Sequence, residues 1–288
     1  MTSQPPQIGD VRRNFVTARG VRFHVTEAGP PGGRPVLALH GWPQHHWVYR
    51  DLLADPPPGL RIIAPDLPGY GWSGPAPHRW AKEDVVSDLV ALMDALDLDR
   101  VLLVGHDWGG FLGHLLTLRV PDRIDGYLAL NIAHPWVPPK VMARHAWRFL
   151  MYQPLIAIAG VPVQRRTGFL DRAYRKVSEI DAATARVYTD TFRDPVVART
   201  ARDTYRTFLF REIPRLVRAG ERRRSTVPTR VLFGKNDAAI APELAAAETA
   251  RADDYTVEFV DSGHFIADEC PALVRAKLIA LAEETAGS

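Results

Sequence analysis

The sequence predicts an α/β chain, a mostly parallel, doubly wound sheet into which a helical segment has been inserted. Three observations carry that expectation. Short, nearly continuous apolar runs recur along the chain, as strands buried on both faces of a parallel sheet require. Amphipathic stretches lie between them, and strand, helix, strand, helix implies right-handed crossovers with helices on both faces. The composition then changes in the middle. Between residues 140 and 230 there are 20 Lys and Arg against 8 Asp and Glu, a net of +12, while the remainder holds 16 against 25, a net of −9.

The elements follow in order. Arg22-Phe-His-Val-Thr-Glu27 alternates in polarity and is expected in an antiparallel edge hairpin. Val36-Leu-Ala-Leu-His40, Arg61-Ile-Ile-Ala-Pro65, Val101-Leu-Leu-Val-Gly105 and Tyr127-Leu-Ala-Leu-Asn131 are the buried strands, bounded by Gly, Pro or Asp. A helix is expected over 82–96, where Val85, Val86, Leu89, Leu92, Met93 and Leu96 recur at helical spacing, and another over 109–120. After the insertion the pattern resumes with Val231-Leu-Phe233, a helix over 242–251, a strand over 256–260 and a closing helix over 271–284. Two domains are therefore expected. Residues 1–137 and 226–288 form the core, and 138–225, helical without strand periodicity, forms a lid over the C-terminal edge of the sheet.

Composition excludes several classes. With 46% hydrophobic and 24% charged residues among 288, the chain has the balance of a globular protein with a large core. Its apolar runs fall far short of the ~20 residues that cross a bilayer. The start has no basic and apolar leader pattern, so a cytoplasmic location is expected. A single cysteine, Cys270, cannot form an intrachain disulfide or a thiolate zinc cluster. Arg172, Arg175, Arg202 and Arg206 fall at helical spacing among Asp and apolar residues, and the run Arg222 to Arg224 has no aromatic platform beside it. The basic segment is expected to be solvated helix faces, with neither nucleic acid nor membrane as partner.

Chemistry enters at Gly105-His-Asp-Trp-Gly-Gly110, where an apolar strand runs into a glycine-flanked turn and then a helix. That is the nucleophile-elbow arrangement G-x-S-x-G with Asp107 in place of serine. A carboxylate there cannot act as an esterase serine does, but it can attack a saturated carbon and form an alkyl ester. Taken alone, Asp107 is equally explained as the N-cap of the following helix. Its company decides the matter. His40-Gly-Trp-Pro43, Asp66-Leu-Pro-Gly-Tyr-Gly71, Gly234-Lys-Asn-Asp237 and Asp261-Ser-Gly-His264 each follow a strand. Nucleophile, acid, histidine is the chain order of an α/β-hydrolase triad: Asp107, Asp237, His264.

On these motifs, together with Leu130-Asn-Ile-Ala-His-Pro135, the chain resembles the α/β-hydrolase superfamily, and within it the epoxide hydrolases, from about residue 10 to 285. The resemblance implies the α/β-hydrolase fold, a covalent ester on Asp107, an oxyanion hole built from the backbone N–H groups of Trp42 and Trp108, and a cis bond before Pro43. It also implies two lid tyrosines that meet the leaving epoxide oxygen. Tyr152, in Phe149-Leu-Met-Tyr152-Gln153, and Tyr205, in Asp203-Thr-Tyr-Arg206, match those segments. Tyr174 and Tyr188 lack such context and stand as alternates. Trp108, Trp136, Phe149, Phe169, Phe208 and Phe265 are candidates for an apolar pocket, each equally explained by core packing.

The expected reaction opens a small apolar epoxide with Asp107 and hydrolyses the ester with water activated by His264, which Asp237 orients, giving a vicinal diol. No metal, nucleotide, flavin or other cofactor is required, and the expected state is monomer or homodimer. The principal alternative is a haloalkane or haloacetate dehalogenase using the same nucleophile. Trp42 stands where haloalkane dehalogenases often carry Asn or Glu, and Trp108 where haloacetate dehalogenases favour Arg. A non-catalytic ligand receptor on this fold is a third reading. A serine esterase is excluded by the absence of any G-x-S-x-G.

Overall fold

The computed structural model describes residues 4–166, 168–246 and 251–287. Eight strands form one sheet: β1 (Arg12–Ala18), β2 (Val21–Ala28), β3 (Arg34–Leu39), β4 (Leu60–Pro65), β5 (Val101–His106), β6 (Ile124–Leu130), β7 (Thr229–Gly234) and β8 (Tyr255–Val260). Their spatial order is β1-β2-β4-β3-β5-β6-β7-β8. The pairs β1/β2 and β2/β4 are antiparallel and all others parallel, so the alternating stretch at 22–27 does belong to an edge hairpin.

The continuous apolar runs are explained by burial on both sides. In β3, Leu37 and Leu39 enter the core on one face of the sheet, while Val36 and Ala38 enter the core on the other. In β5, Val101 and Leu103 divide from Leu102 and Val104 in the same way, the period of two that a strand imposes. Helices α1 (Arg50–Ala54), α2 (Lys82–Ala95) and α3 (Asp107–Arg119) cross between the early strands. The expected start of the third lay at Gly109; the helix begins two residues earlier, because the turn is made by Asp107 itself.

Between β6 and β7 the described chain is helical, with α4 (Pro139–Leu150), α5 (Gln153–Arg166), α6 (Phe169–Val177), α7 (Ala182–Thr189), α8 (Pro195–Thr207) and α9 (Ile213–Ala219). Local signals set these ends. Asp181 caps α7 by accepting from the N–H groups of Ala183 and Thr184, and Asp194 caps α8 just ahead of Pro195. A π-helical turn, Phe208–Glu212, separates α8 from α9. Arg172, Arg175 and Arg206 are exposed, the solvated faces the spacing implied. The chain closes with α10 (Glu243–Ala246), α11 (Ile266–Glu269) and α12 (Pro271–Glu284). Of the helix expected over 242–251, residues 247–250 lie outside the described residues. Among the described residues no helix is long and apolar enough to cross a membrane.

Candidate active site

Asp107 sits where β5 turns into α3, its backbone held at φ +50°. Asp tolerates this left-handed region better than most non-glycine residues. The turn also needs glycine beside it, since a Cβ on Gly109 would lie 2.2 Å from the Leu39 carbonyl oxygen. The capping explanation fails here, because His106 holds the N-cap position and the Asp107 carboxylate points elsewhere. Its Oδ1 accepts from the Trp42 backbone N–H at 2.8 Å. Trp108, second residue of α3, has no carbonyl one turn back to receive its own N–H. The Trp42–Pro43 bond is cis.

The loops after β7 and β8 bring in the other two groups. Asp237 is buried, and its Oδ1 accepts from the N–H groups of Ala239 and Ile240 at 2.7 and 2.9 Å. Its Oδ2 lies 2.8 Å from His264 Nδ1. His264 Nε2 then faces Asp107 Oδ2 at 3.7 Å. Burial opposes charge on both partners, yet each stabilises the other. The imidazolium outweighs burial to hold Asp237 below the usual carboxylate range, with help from Asn131 and Ile240. Against the same desolvation, the charge of Asp237, then hydrogen bonding to Asp107 and to Asp237, and last the charge of Asp107 hold the His264 pKa up at about 10.

This geometry makes the His264 proton depend on the charge of Asp107. In Asp107→Asn one of the two carboxylate charges is gone, so His264 should titrate below about 10, as followed by NMR of the imidazole in protein whose mass excludes deamidation. An unchanged value would show that the Asp107 charge does not reach the ring.

Two cavities meet at Asp107 and Tyr152. The larger, about 590 Å³, is lined by Trp42, His264, Phe265, Tyr205 and Phe169 among others. The smaller, about 290 Å³, is lined by Trp108, Trp136, Phe149 and Phe208. The tyrosine rings are edge-on with centroids 5.9 Å apart, and both pack on Trp42, at 6.2 Å for Tyr152 and 5.4 Å for Tyr205. Burial holds both phenols above their ordinary pKa, so they keep their protons at neutral pH. Of the alternates, Tyr174 lines the larger cavity and stacks on Phe265 at 4.6 Å, whereas Tyr188 donates to Asp268 at 2.7 Å and does not line either cavity at Asp107. A polar cleft of about 750 Å³ beside α6 reaches neither Asp107 nor the two candidate tyrosines.

Several supporting groups escaped the sequence reading. Asn131 donates from Nδ2 to Asp237 Oδ2 at 2.8 Å and to the Gly263 carbonyl at 3.0 Å, joining the acid and histidine loops. In the sequence it stands only within Leu130-Asn-Ile-Ala-His-Pro135, at the end of a strand. Arg148 of α4 donates to the Asp237 carbonyl at 2.8 Å, and the His264 N–H donates to the Val177 carbonyl at the end of α6 at 3.1 Å. Glu269 accepts from Ser262 Oγ at 2.9 Å and from the Gly263 N–H at 2.5 Å, bracing the histidine loop from below. His24, His46 and Asp66 are buried with ligand-type atoms within 4.8 Å of one another. Asp66 already receives both imidazole Nδ1 atoms, at 2.9 and 2.8 Å, and the N–H groups of His46 and Trp72, at 2.8 and 3.0 Å. The trio therefore pins the loops after β3 and β4 with hydrogen bonds and does not form an open coordination shell.

A carboxylate elbow, an acid and a histidine at the ends of parallel strands define a hydrolytic enzyme of the α/β type. The chain belongs to the α/β-hydrolase family, whose model for the alpha/beta hydrolase fold matches residues 34–271. Human epoxide hydrolase 4 is 27% identical over 290 residues, covering 92% of this chain and 77% of that protein. Haloalkane dehalogenase 2 of Mycobacterium bovis is 26% identical over 286 residues, covering 93% of each. A solved Salmonella enterica structure described as a candidate acyltransferase superposes with a TM-score of 0.82 at 24% identity, covering 99% of this chain and 100% of that one, a likeness of fold alone.

Proposed function

We propose that the protein hydrolyses small apolar epoxides to vicinal diols through an alkyl ester on Asp107, beneath a cap formed by residues 138–225. The observation that supports this most directly is the convergence of Tyr152 and Tyr205 on the cavity of the nucleophile. An epoxide oxygen departs as alkoxide unless it meets a proton, and two protonated phenols in a water-poor pocket supply that need. Asp107 attacks one ring carbon, the C–O bond opens, and a tyrosine proton passes to the leaving oxygen. The new ester removes the Asp107 charge, and with it part of what held the His264 proton. That proton can return to the phenolate, leaving a neutral imidazole oriented by Asp237. His264 then takes a proton from water, which attacks the ester carbonyl. The Trp42 N–H, already 2.8 Å from Oδ1, and the Trp108 N–H stabilise the oxyanion. Collapse releases the diol and returns the carboxylate. Similarity to human epoxide hydrolase 4 supports the same reading.

One observation favours dehalogenation as the second reading. The indole Nε1 of Trp108 is buried without a hydrogen-bond partner among the described residues, on a residue of the smaller cavity's wall, where an N–H donor suits a departing halide. Incubation with an epoxide panel and a haloalkane panel, reading diol and halide, separates the two. In a single turnover in heavy-oxygen water the label should enter the Asp107 carboxylate, and the first diol should carry no label. Fully labelled first-turnover diol would mean direct attack by water. No turnover of either panel would leave the receptor reading standing.

A further inference from the structure

Lys82, the first residue of α2, is buried, an unusual place for an ammonium in a family whose chemistry lies one helix away. Its Nζ donates to the Thr204 carbonyl at 2.6 Å and pairs with Glu212 Oε2 at 3.0 Å. Its backbone N–H donates to the other oxygen of the same carboxylate at 2.8 Å. Both partners belong to the inserted helices: Thr204 precedes Tyr205 on α8, and Glu212 ends the π-helical turn that follows. Toward the core, Nζ lies 4.6 Å from the ring centroid of Trp108, the residue after the nucleophile, and 5.2 Å from that of Phe208. Trp108 in turn meets Tyr205 edge-on at 5.4 Å and Phe208 at 4.9 Å.

We infer that Lys82 is a positioning residue for ester formation: its buried ammonium ties the end of α8 to the core and sets the Tyr205 hydroxyl against Asp107. The inference rests on the proposed roles of Asp107 and Tyr205. An ammonium has three donors, and here one goes to the Thr204 carbonyl while the charge pairs with Glu212 and lies near the Trp108 and Phe208 rings. A methionine or leucine would fill the same space without the cost of burying a charge. Neither could hold the Thr204 carbonyl. Burial pulls the Lys82 pKa down to about 8 even though Glu212 opposes it, so the ammonium still predominates at neutral pH. Thr204 is fixed from a second side, its Oγ1 lying 2.9 Å from the Tyr70 hydroxyl. The carbonyl that Lys82 grips is therefore part of a rigid turn, and Tyr205 is the next residue along it.

The test measures the two half-reactions apart. In a His264→Gln background, where the ester accumulates, Lys82→Met should slow formation of the Asp107 adduct about tenfold or more, a fraction of what a positioned general acid supplies. Added to Tyr205→Phe it should cost little further, because both changes act through one hydroxyl. With His264 intact, decay of the ester should keep its native rate, whereas general loosening of the fold would slow both halves. Lys82→Arg should recover part of the loss. Should Lys82→Met fail to fold, Glu212→Gln, which removes the ion pair but keeps the side chain's length, carries the same comparison with a smaller slowing. A native adduct rate in the folded variant, or an equal slowing with and without Tyr205, would overturn the inference. If His264→Gln forms no adduct with an epoxide that the native protein consumes, the covalent ester fails, and if Tyr205→Phe in that background alkylates at the unchanged rate, the Tyr205 role fails; either removes the reading on which the inference rests. A slow Tyr205→Phe beside a fast Lys82→Met removes only the clamp.

Discussion

His264→Gln should alkylate once and stop. The first half-reaction needs the Asp107 carboxylate and the two phenols, none of which this change touches. The second needs a base within reach of the ester, and glutamine has no lone pair basic enough to take the proton from water. Intact-protein mass spectrometry after addition of an epoxide should therefore show a one-to-one adduct that persists, with turnover reduced on the order of 10² to 10⁴. Peptide mapping should place the added mass on Asp107. The arrangement supports this separation, because His264 Nε2 stands 3.7 Å from Asp107 Oδ2 while its Nδ1 stays with Asp237. An unmodified mass, obtained with an epoxide that the native protein consumes, would remove the covalent mechanism. Asp107→Asn, in protein shown not to deamidate, should form no adduct at all.

Tyr152→Phe and Tyr205→Phe address the other half. Each should slow epoxide opening, with the loss softened by the remaining phenol, and the double variant should lose about 10² to 10⁴ in the rate of adduct formation. Both rings pack on Trp42, Tyr152 stacked and Tyr205 edge-on, and both line the cavity at Asp107, so each hydroxyl is expected to compensate for the other. Phenylalanine keeps the ring and its packing, so the melting temperature should move little. Release of halide from any haloalkane the protein accepts should be unaffected, since a departing halide takes no proton. Native rates of epoxide opening in the double variant would show that the phenols are only packing.

Much of this was legible in the sequence because its signals are local. A short apolar run followed by Gly-x-Asp-x-Gly marks strand, turn and helix within a few residues, and the same holds for His40 to Pro43 and for Ser262 to His264. What was not legible depends on distant partners. Lys82 reads as a polar residue at the exposed start of an amphipathic helix, and it is buried only because Thr204 and Glu212, about 120 and 130 residues further on, close over it. Asn131 reads as the residue that ends a strand, and its two donated hydrogen bonds go to loops about 100 and 130 residues away. The start of α3 was misjudged by two residues because helix rules place the boundary at glycine, whereas here an aspartate takes the left-handed turn.

The inserted helices hold two main-chain atoms of the loops after β7 and β8, through Arg148 to the Asp237 carbonyl and through Val177 to the His264 N–H. A segment bonded in this way cannot swing aside as a hinged door without disturbing the acid and the histidine. Substrate and product are then expected to exchange through the larger cavity, whose wall includes Trp147 and Met151 of α4 and Phe169 and Arg172 of α6, with these helices in place. The same bonds constrain protein engineering. A chimera that borrows its roof from a relative to change specificity must reproduce the guanidinium at 148 and the carbonyl at 177; otherwise it will inherit a new pocket over a misaligned triad.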